Sequence, residues 1–322
     1  MPIIKTSSYQ PPFLYWNRHV NTIVHALLRI PKIGYDRERL ATKDGDFVDL
    51  DFSKVGSNTV VLIIHGLEGN SKSGYVKGMI KACNAKGWDG VVLNFRGCSG
   101  EENKSFGSYH SGQTEDVDLV VEHLKSAHNY DGILLVSYSL GANVMLKYLG
   151  DNSSTKTLVT AAVAISAPCD LEGCAVQLEK WYNKVYMIAF LRSLRKKVKA
   201  KCKAHPNHII NLKAALKANT FKDFDNEVTA PAHGFKDAKD YWTQSSSIQF
   251  LFNIKIPTLL INAQDDPFLT PSCFPFKEAE ANKYFHLETP KKGGHVGFVS
   301  SNLLGGIYWH EKRALAFLGL FR

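Results

Sequence analysis

The feature that most constrains this chain is a rhythm: short, β-branched apolar runs alternate with amphipathic stretches through its first half. "TVVLIIHG" reads as a strand and "GYVKGMIKACNAKG" as a helix ending at Gly87; "DGVVLNFRG" is again a strand. In "TEDVDLVVEHLKSAH" the apolar residues Val117, Val120, Val121 and Leu124 share one helix face. "GILLVS", "LGANVMLKYLG" and "LVTAAVAISAP" continue as strand, helix and strand. Apolar runs without polar alternation are strands buried on both faces, the condition of a parallel sheet covered by helices. The rhythm therefore predicts an α/β fold with a mostly parallel, doubly wound sheet. Ahead of it, "RERLATKDGDFVDLDFS" alternates polar and apolar residues around Asp44-Gly45. That is a hairpin signature, so antiparallel strands are expected at one edge.

The rhythm stops once. Residues 171–248 read as several helices rich in aromatic and basic residues, and strands resume with "PTLLINAQDD" and "KYFHLETP" before a last helix near "GGIYWHEKRALAFLG". A strandless stretch of this size makes only a small core of its own. It is expected to be an inserted helical cap over the C-terminal ends of the strands, where such sheets bind ligands. The expected organisation is one domain over residues 1–322, with an aromatic, Pro-containing arm at 1–32 and the cap at about 171–248. No apolar run approaches the ~20 residues of a membrane span. The N-terminus lacks a charged segment followed by an apolar one, so no signal peptide is expected. The six cysteines are scattered without a Cys-x-x-Cys pair. Zinc-type spacing is absent, and free thiols in a reducing cytoplasm are expected.

The net charge of +9 has one conspicuous source, "RSLRKKVKAKCK". No aromatic residue interleaves these cations to stack on bases, so no nucleic-acid partner is expected and the run reads as a solvated helix face. The alternative is an anionic partner such as a membrane surface.

Three features at predicted strand ends carry chemistry. Ser139 follows "GILLVS" in a Ser-x-Ser-x-Gly turn. A nucleophile at a strand-to-helix elbow needs small residues two before and two after it. Gly141 meets that need; Ser137, where glycine is usual, is a departure that stays small. Asp265 and Asp266 end the strand "PTLLINAQDD" just before Pro267, where an acid can orient a histidine and stabilise its imidazolium. His295, in "KKGGHVGF", has glycines that leave its imidazole room to reach a cleft and serve as base and then acid. Ser139, Asp266, His295 is the nucleophile–acid–histidine order of α/β-hydrolases. A fourth feature agrees: "IIHGLEGN" places His65-Gly66 after an early strand, so the backbone N–H of Leu67 can pair with that of Leu140 as an oxyanion hole. "NFRGCSGE" lacks the Lys-Ser/Thr ending of a phosphate loop, and Arg96 is expected to brace loops. His110, in "YHSGQTED", is a weaker competitor for the base.

On "WNRHVNTI", "HGLEGNSKSGY", "NFRGCSGE", "YHSGQTEDV", "YSLGAN", "DDPF" and "GGHVGF", the chain resembles the YheT-like esterases. These are a branch of the α/β-hydrolase superfamily related to the mammalian abhydrolase-domain lipid esterases. The resemblance runs almost from end to end. It implies a serine esterase with a helical cap, no cofactor, and Ser139, Asp266 and His295 as its triad; no metal is expected, because no metal-ligand set in the sequence competes with these residues. In similar hydrolase sequences the acid directly precedes the proline, which selects Asp266 over Asp265. Two alternatives remain open: a lipid-directed esterase or lipase in peripheral contact with a membrane through "PPFLYWNRHVNTIVHALLRIP" and the basic cap, and a ligand-binding hydrolase fold with weak turnover.

Overall fold

The runs that read as buried strands are buried strands in the computed structural model, which describes residues 2–29, 31–151, 155–300 and 306–322. In chain order they are β1 (Ile3–Ile4), β2 (Asp36–Ala41), β3 (Phe47–Ser53), β4 (Thr59–Ile64), β5 (Asp89–Asn94), β6 (Gly132–Tyr138), β7 (Val159–Ile165), β8 (Thr258–Ile261) and β9 (Phe285–Glu288). They form one sheet in the order β1-β9-β8-β7-β6-β4-β5-β3-β2. Pairing is parallel from β1 through β5, and β3 and β2 add antiparallel at the far edge. The expected hairpin is the β2–β3 pair, closed by Thr42 and Asp46 with Gly45 at φ +80°.

The helices are α1 (Arg18–Leu28), α2 (Gly74–Ala85), α3 (Glu115–Ser126), α4 (Leu140–Gly150), α5 (Leu171–Glu179), α6 (Lys184–Ala204), α7 (Leu212–Lys217), α8 (Phe221–Phe224), α9 (Ala230–His233), α10 (Ala238–Ser245), α11 (Phe276–Ala281) and α12 (Trp309–Leu318). Period-two alternation of the strands splits the core into two layers. Val61 and Ile63 of β4 face α2 and α12 through Met79, Ile80 and Leu318. Leu62 and Ile64 face α3 and α4 through Val120, Leu124 and Met145. All of these side chains are buried, each stabilising the fold by about 1.5–3 kcal/mol. This is the doubly wound arrangement that continuous apolar strands require.

Between β7 and β8 the described residues hold α5 to α10 and no strand. Two features go beyond the sequence reading. The N-terminal residues Ile3 and Ile4 pair with Leu287 and Glu288 and extend the sheet past β9. The cation-rich run is also not a purely solvated face. It lies on α6, where Arg192, Lys196 and Lys199 are exposed but Lys201 is buried and donates to the carbonyls of Asn103 (2.8 Å) and Ser105 (2.7 Å). Lys197, four residues earlier on the same helix face, also turns inward, to Glu68 Oε1 (2.7 Å), which composition alone does not reveal.

Candidate active site

β6 ends at Tyr138 and α4 begins at Leu140, so Ser139 alone turns the chain. It does so at φ +50°, ψ −123°, a strained conformation for a residue with a side chain. The strain is held by backbone bonds: Ser139 N–H donates to Ile165 O (2.9 Å), and Ser139 O accepts from Ala142 (2.9 Å) and Asn143 (3.1 Å). A Cβ at Gly141 would collide with the carbonyl oxygens of Ile64 and His65, so that position requires glycine. Position 137 does not. Ser137 is fully buried, with Oγ 3.1 Å from Met145 Sδ and 3.5 Å from Val163 O, and its neighbour across β7 is the small Ala164. The serine hydroxyl is occupied by α4 and β7, and its side chain fits beside alanine.

The three side chains singled out in the sequence come together. Ser139 Oγ lies 2.8 Å from His295 Nε2, and His295 Nδ1 lies 2.8 Å from Asp266 Oδ2. Asp266 is buried, and its other oxygen accepts the Phe268 N–H (2.9 Å), which fixes the carboxylate. Asp265 points elsewhere: it accepts the Gly294 N–H (3.0 Å) and lies 3.9 Å from Lys292. The Phe268 ring covers His295 with centroids 4.3 Å apart.

The reversal of strand order at β4 sets β4 directly beside β6, pairing Ile64 with Ser137. The residues that follow each strand are therefore neighbours, as expected at a topological switch point. A Cβ at Gly66 would lie only 3.0 Å from Ser139 Cβ. Leu67 and Leu140 both line the cavity beside Ser139. Leu140 opens α4, where an N–H has no partner within the helix. The Gly66 carbonyl accepts from His65 Nδ1 (2.8 Å) and Gly69 N–H (3.0 Å). A trans peptide then turns the Leu67 N–H the opposite way. His65 can do this because its Nε2 accepts the Phe95 N–H (3.1 Å), leaving the proton on Nδ1. Burial pushes its pKa down to about 4, so it stays neutral. Glu68, at φ +57°, is held by Tyr109 (2.8 and 2.9 Å), by Lys197 (2.7 Å) and by the Ser193 hydroxyl, which joins α6 to this loop.

Sequence reasoning missed the supports of the histidine loop. His295 N–H donates to Thr22 Oγ1 (2.9 Å), whose hydroxyl donates to Arg18 O (2.7 Å). Asn21 Oδ1 accepts the Val299 N–H (3.2 Å), and Tyr9 OH donates to Val299 O (3.1 Å). A Cβ at Gly294 would meet Arg18 O and Thr22, and one at Gly297 would meet Asn21. The glycines of "GGHVGF" thus admit α1 against the loop. The stretch "WNRHVNTI" was visible as distinctive, but its job depends on a contact between the two ends of the chain.

A cavity of about 180 Å³ opens on Ser139 and His295. Its walls are largely apolar and include Leu178, Phe190, Leu194, Phe221 and Phe268. His110 also lines it, but its Nδ1 accepts the Gly112 N–H (3.1 Å) and its ring packs on His233 at 4.6 Å. Burial holds the His110 pKa well below its ordinary value. Arg96 grips Asp116 through two bonds (2.8 and 2.7 Å) and Asp44 (2.5 Å), tying the hairpin turn to α3.

A family model described as the alpha/beta hydrolase fold matches residues 59–298. The chain belongs to the α/β-hydrolase family. Among its relatives, this hydrolase-family chain is 37% identical over 303 residues to the Escherichia coli (strain K12) protein named "Putative esterase YheT", covering 92% of this chain and 88% of that one. It is 29% identical over 311 residues to "Phospholipase ABHD3" of Mus musculus, covering 92% and 74%. Among solved structures, the esterase Pf2001 of Pyrococcus furiosus matches with a TM-score of 0.61 and 17% identity, over 90% of this chain and 93% of that one. At that identity the likeness is one of fold.

Proposed function

We propose that this hydrolase-family protein cleaves carboxylic esters through an acyl-enzyme. The observation that carries the proposal is the unbroken pair of 2.8 Å contacts from Ser139 through His295 to Asp266 at the wall of an apolar cavity. Ser139 Oγ attacks the ester carbonyl as His295 Nε2 takes its proton. The developing oxyanion meets the Leu67 and Leu140 amides, each such donor supplying about 3 kcal/mol of transition-state stabilisation. His295 returns the proton to the leaving alcohol, then activates the water that releases the acid. Asp266 keeps the proton on Nδ1 and stabilises the imidazolium. The apolar walls suit an acyl chain, and the names of the relatives, esterase and phospholipase, agree with an ester substrate. In this reading residues 171–248 are a cap, which is supported by the cavity walls drawn from α5, α6 and α8. The six free, buried cysteines support a reducing cytoplasm as its compartment.

The test is labelling by a fluorophosphonate probe together with turnover of p-nitrophenyl esters of graded chain length. Rapid labelling at Ser139 with turnover is expected. A folded protein that neither labels nor turns over would support the ligand-binding reading instead.

The brace from α1 yields a second expectation. Thr22→Val keeps the shape of the side chain but leaves the His295 N–H without an acceptor. A displaced imidazole lowers kcat by roughly 10- to 100-fold. KM stays within about twofold, because Thr22 is not part of the cavity wall. Thr22→Ser restores the hydroxyl and most of kcat. Steady-state kinetics of the two variants check this, and an unaffected kcat in Thr22→Val would remove Thr22 from the positioning of His295.

One observation favours a membrane surface as the place of action. Phe13, Trp16, Val20, Ile23 and Leu27 are exposed along the arm and α1, and Trp181, Val185 and Ile188 are exposed just before and within the first turns of α6. Trp181 lies in the short 3₁₀ turn that precedes α6, and Val185 and Ile188, three apart within α6, share a helix face. Tyr186 links the two groups to the site: it stacks on His19 at 5.8 Å and packs edge-on against Phe268 at 4.8 Å. Exposed cations, among them Lys180 and Lys184, border these apolar side chains. An apolar face rimmed by positive charge suits an anionic bilayer surface. No helix among the described residues is long and apolar enough to cross a membrane. Sedimentation with vesicles containing phosphatidylglycerol is expected to carry the protein down. Replacing Trp16 and Trp181 with serine should weaken that partitioning at least about tenfold, given the area each indole buries. Equal binding by the double variant would sink this reading.

A further inference from the structure

We propose that Glu38, His123 and His128 form a binding site for a divalent transition cation of the zinc type, separate from the hydrolytic site. Glu38 lies on the edge strand β2, His123 in the last turn of α3, and His128 in the loop that follows α3. Both imidazoles aim Nε2 at the same carboxylate, one at each oxygen: His123 at Oε1 (2.5 Å) and His128 at Oε2 (3.0 Å). The three ligand atoms all lie within 4.8 Å of one another.

The rings are also held in place. His128 packs against Phe52 at 4.8 Å and stacks on Tyr130 at 6.0 Å. His123 and His128 meet edge-on, with centroids 5.2 Å apart and planes at 81°. Asn129 takes φ +55°, a left-handed conformation that turns the chain just after His128. Sequence spacing hid the site, because the two histidines are five apart and do not share a helix face.

Two imidazole nitrogens and one carboxylate oxygen are a zinc-type donor set, with metal–ligand distances of about 2.0–2.2 Å. Tetrahedral ligands at that distance lie about 3.3–3.6 Å apart, so small side-chain rotations open these contacts around an ion. Magnesium and calcium take oxygen ligands and do not fit a set with two imidazoles. The histidine side chains are 17% and 18% exposed and that of Glu38 37%, which leaves a solvent side for a water ligand. None of the three residues lines the cavity at Ser139. The role that follows is a clasp. The ion joins the edge strand β2, which among the described residues pairs only with β3, to α3, and it stabilises the folded chain by mass action.

The experiment uses the full chain without an affinity tag, stripped with EDTA and desalted. Co²⁺ is titrated by visible absorption and Zn²⁺ by calorimetry, in the parent and in Glu38→Gln and His128→Gln. The expected result is one ion per chain with a tetrahedral Co²⁺ spectrum in the parent, lost in both variants. Zn²⁺ at about a hundredfold excess over Kd should raise Tm by roughly 3–5 °C in the parent and not in the variants. Ester turnover, unchanged in both variants, shows that they are folded. Should a variant fail that check, His123→Gln replaces it. Absence of binding in the parent, or equal binding in parent and variants, would overturn the proposal.

Discussion

Ser139→Ala is expected to abolish the proposed ester hydrolysis and fluorophosphonate labelling while leaving the fold intact. In the proposed mechanism the Oγ is the atom that bonds to the acyl group, and its side-chain partner in the structure is His295 Nε2 at 2.8 Å. Without it, His295 and Asp266 have no nucleophile to activate. Triad members act as a unit, so the loss is expected to be on the order of 10⁴–10⁶-fold in kcat. The fold has little reason to respond. The turn is held by the Ser139 backbone bonds to Ile165, Ala142 and Asn143, which alanine keeps. Alanine carries the same strain at φ +50°, so the stability change stays within about 1 kcal/mol. The measurement is kcat/KM on a short-chain ester, with labelling and a thermal melt alongside. Retention of a tenth or more of the activity would remove Ser139 as nucleophile.

Asp266→Asn has the next largest expected effect, roughly 10⁴-fold in kcat. Asp266 uses one oxygen on His295 Nδ1 and the other on the Phe268 N–H. The asparagine carbonyl takes over the bond from Phe268, which turns the amide NH₂ toward His295. Nδ1 must then accept, so Nε2 carries the proton and can no longer take one from Ser139. Asp265→Asn tests the neighbouring acid. Asp265 supports the loop through the Gly294 N–H, a bond that an amide oxygen also accepts, so its loss is about tenfold or less. Kinetics of the two variants on the same ester rank them, and a reversed ranking would move the acid to Asp265.

Much of the fold was legible because burial on both faces leaves a strong mark. A strand such as "TVVLII" turns no side chain to solvent, and a helix such as α3 keeps its valines on one face. The three side chains now joined were legible for a related reason. Each lies beyond the C-terminal end of a recognisable strand, Ser139 directly after β6 and Asp266 and His295 in the loops that follow β8 and β9, and in this topology those ends converge. Ser137 was legible as a departure but not as a harmless one. The room for its side chain depends on Ala164 in the neighbouring strand and on Met145 across the turn, contacts that the spacing of the motif does not display.

The amino-acid sequence by itself determined the layered α/β architecture, the chain order of Ser139, Asp266 and His295, and the place of the helical stretch between β7 and β8. These follow from local periodicity and from residues at element ends, which short windows of sequence contain. Tertiary structure alone decided what holds the site in shape. Thr22 reaches His295 across 273 positions, and Lys197 reaches Glu68 across 129. Tertiary structure also turned Lys197 and Lys201 inward and brought Glu38 to His123 and His128. Such pairings leave no periodic trace, because a hydrogen bond depends on distance in space and each partner alone looks like an ordinary polar surface residue.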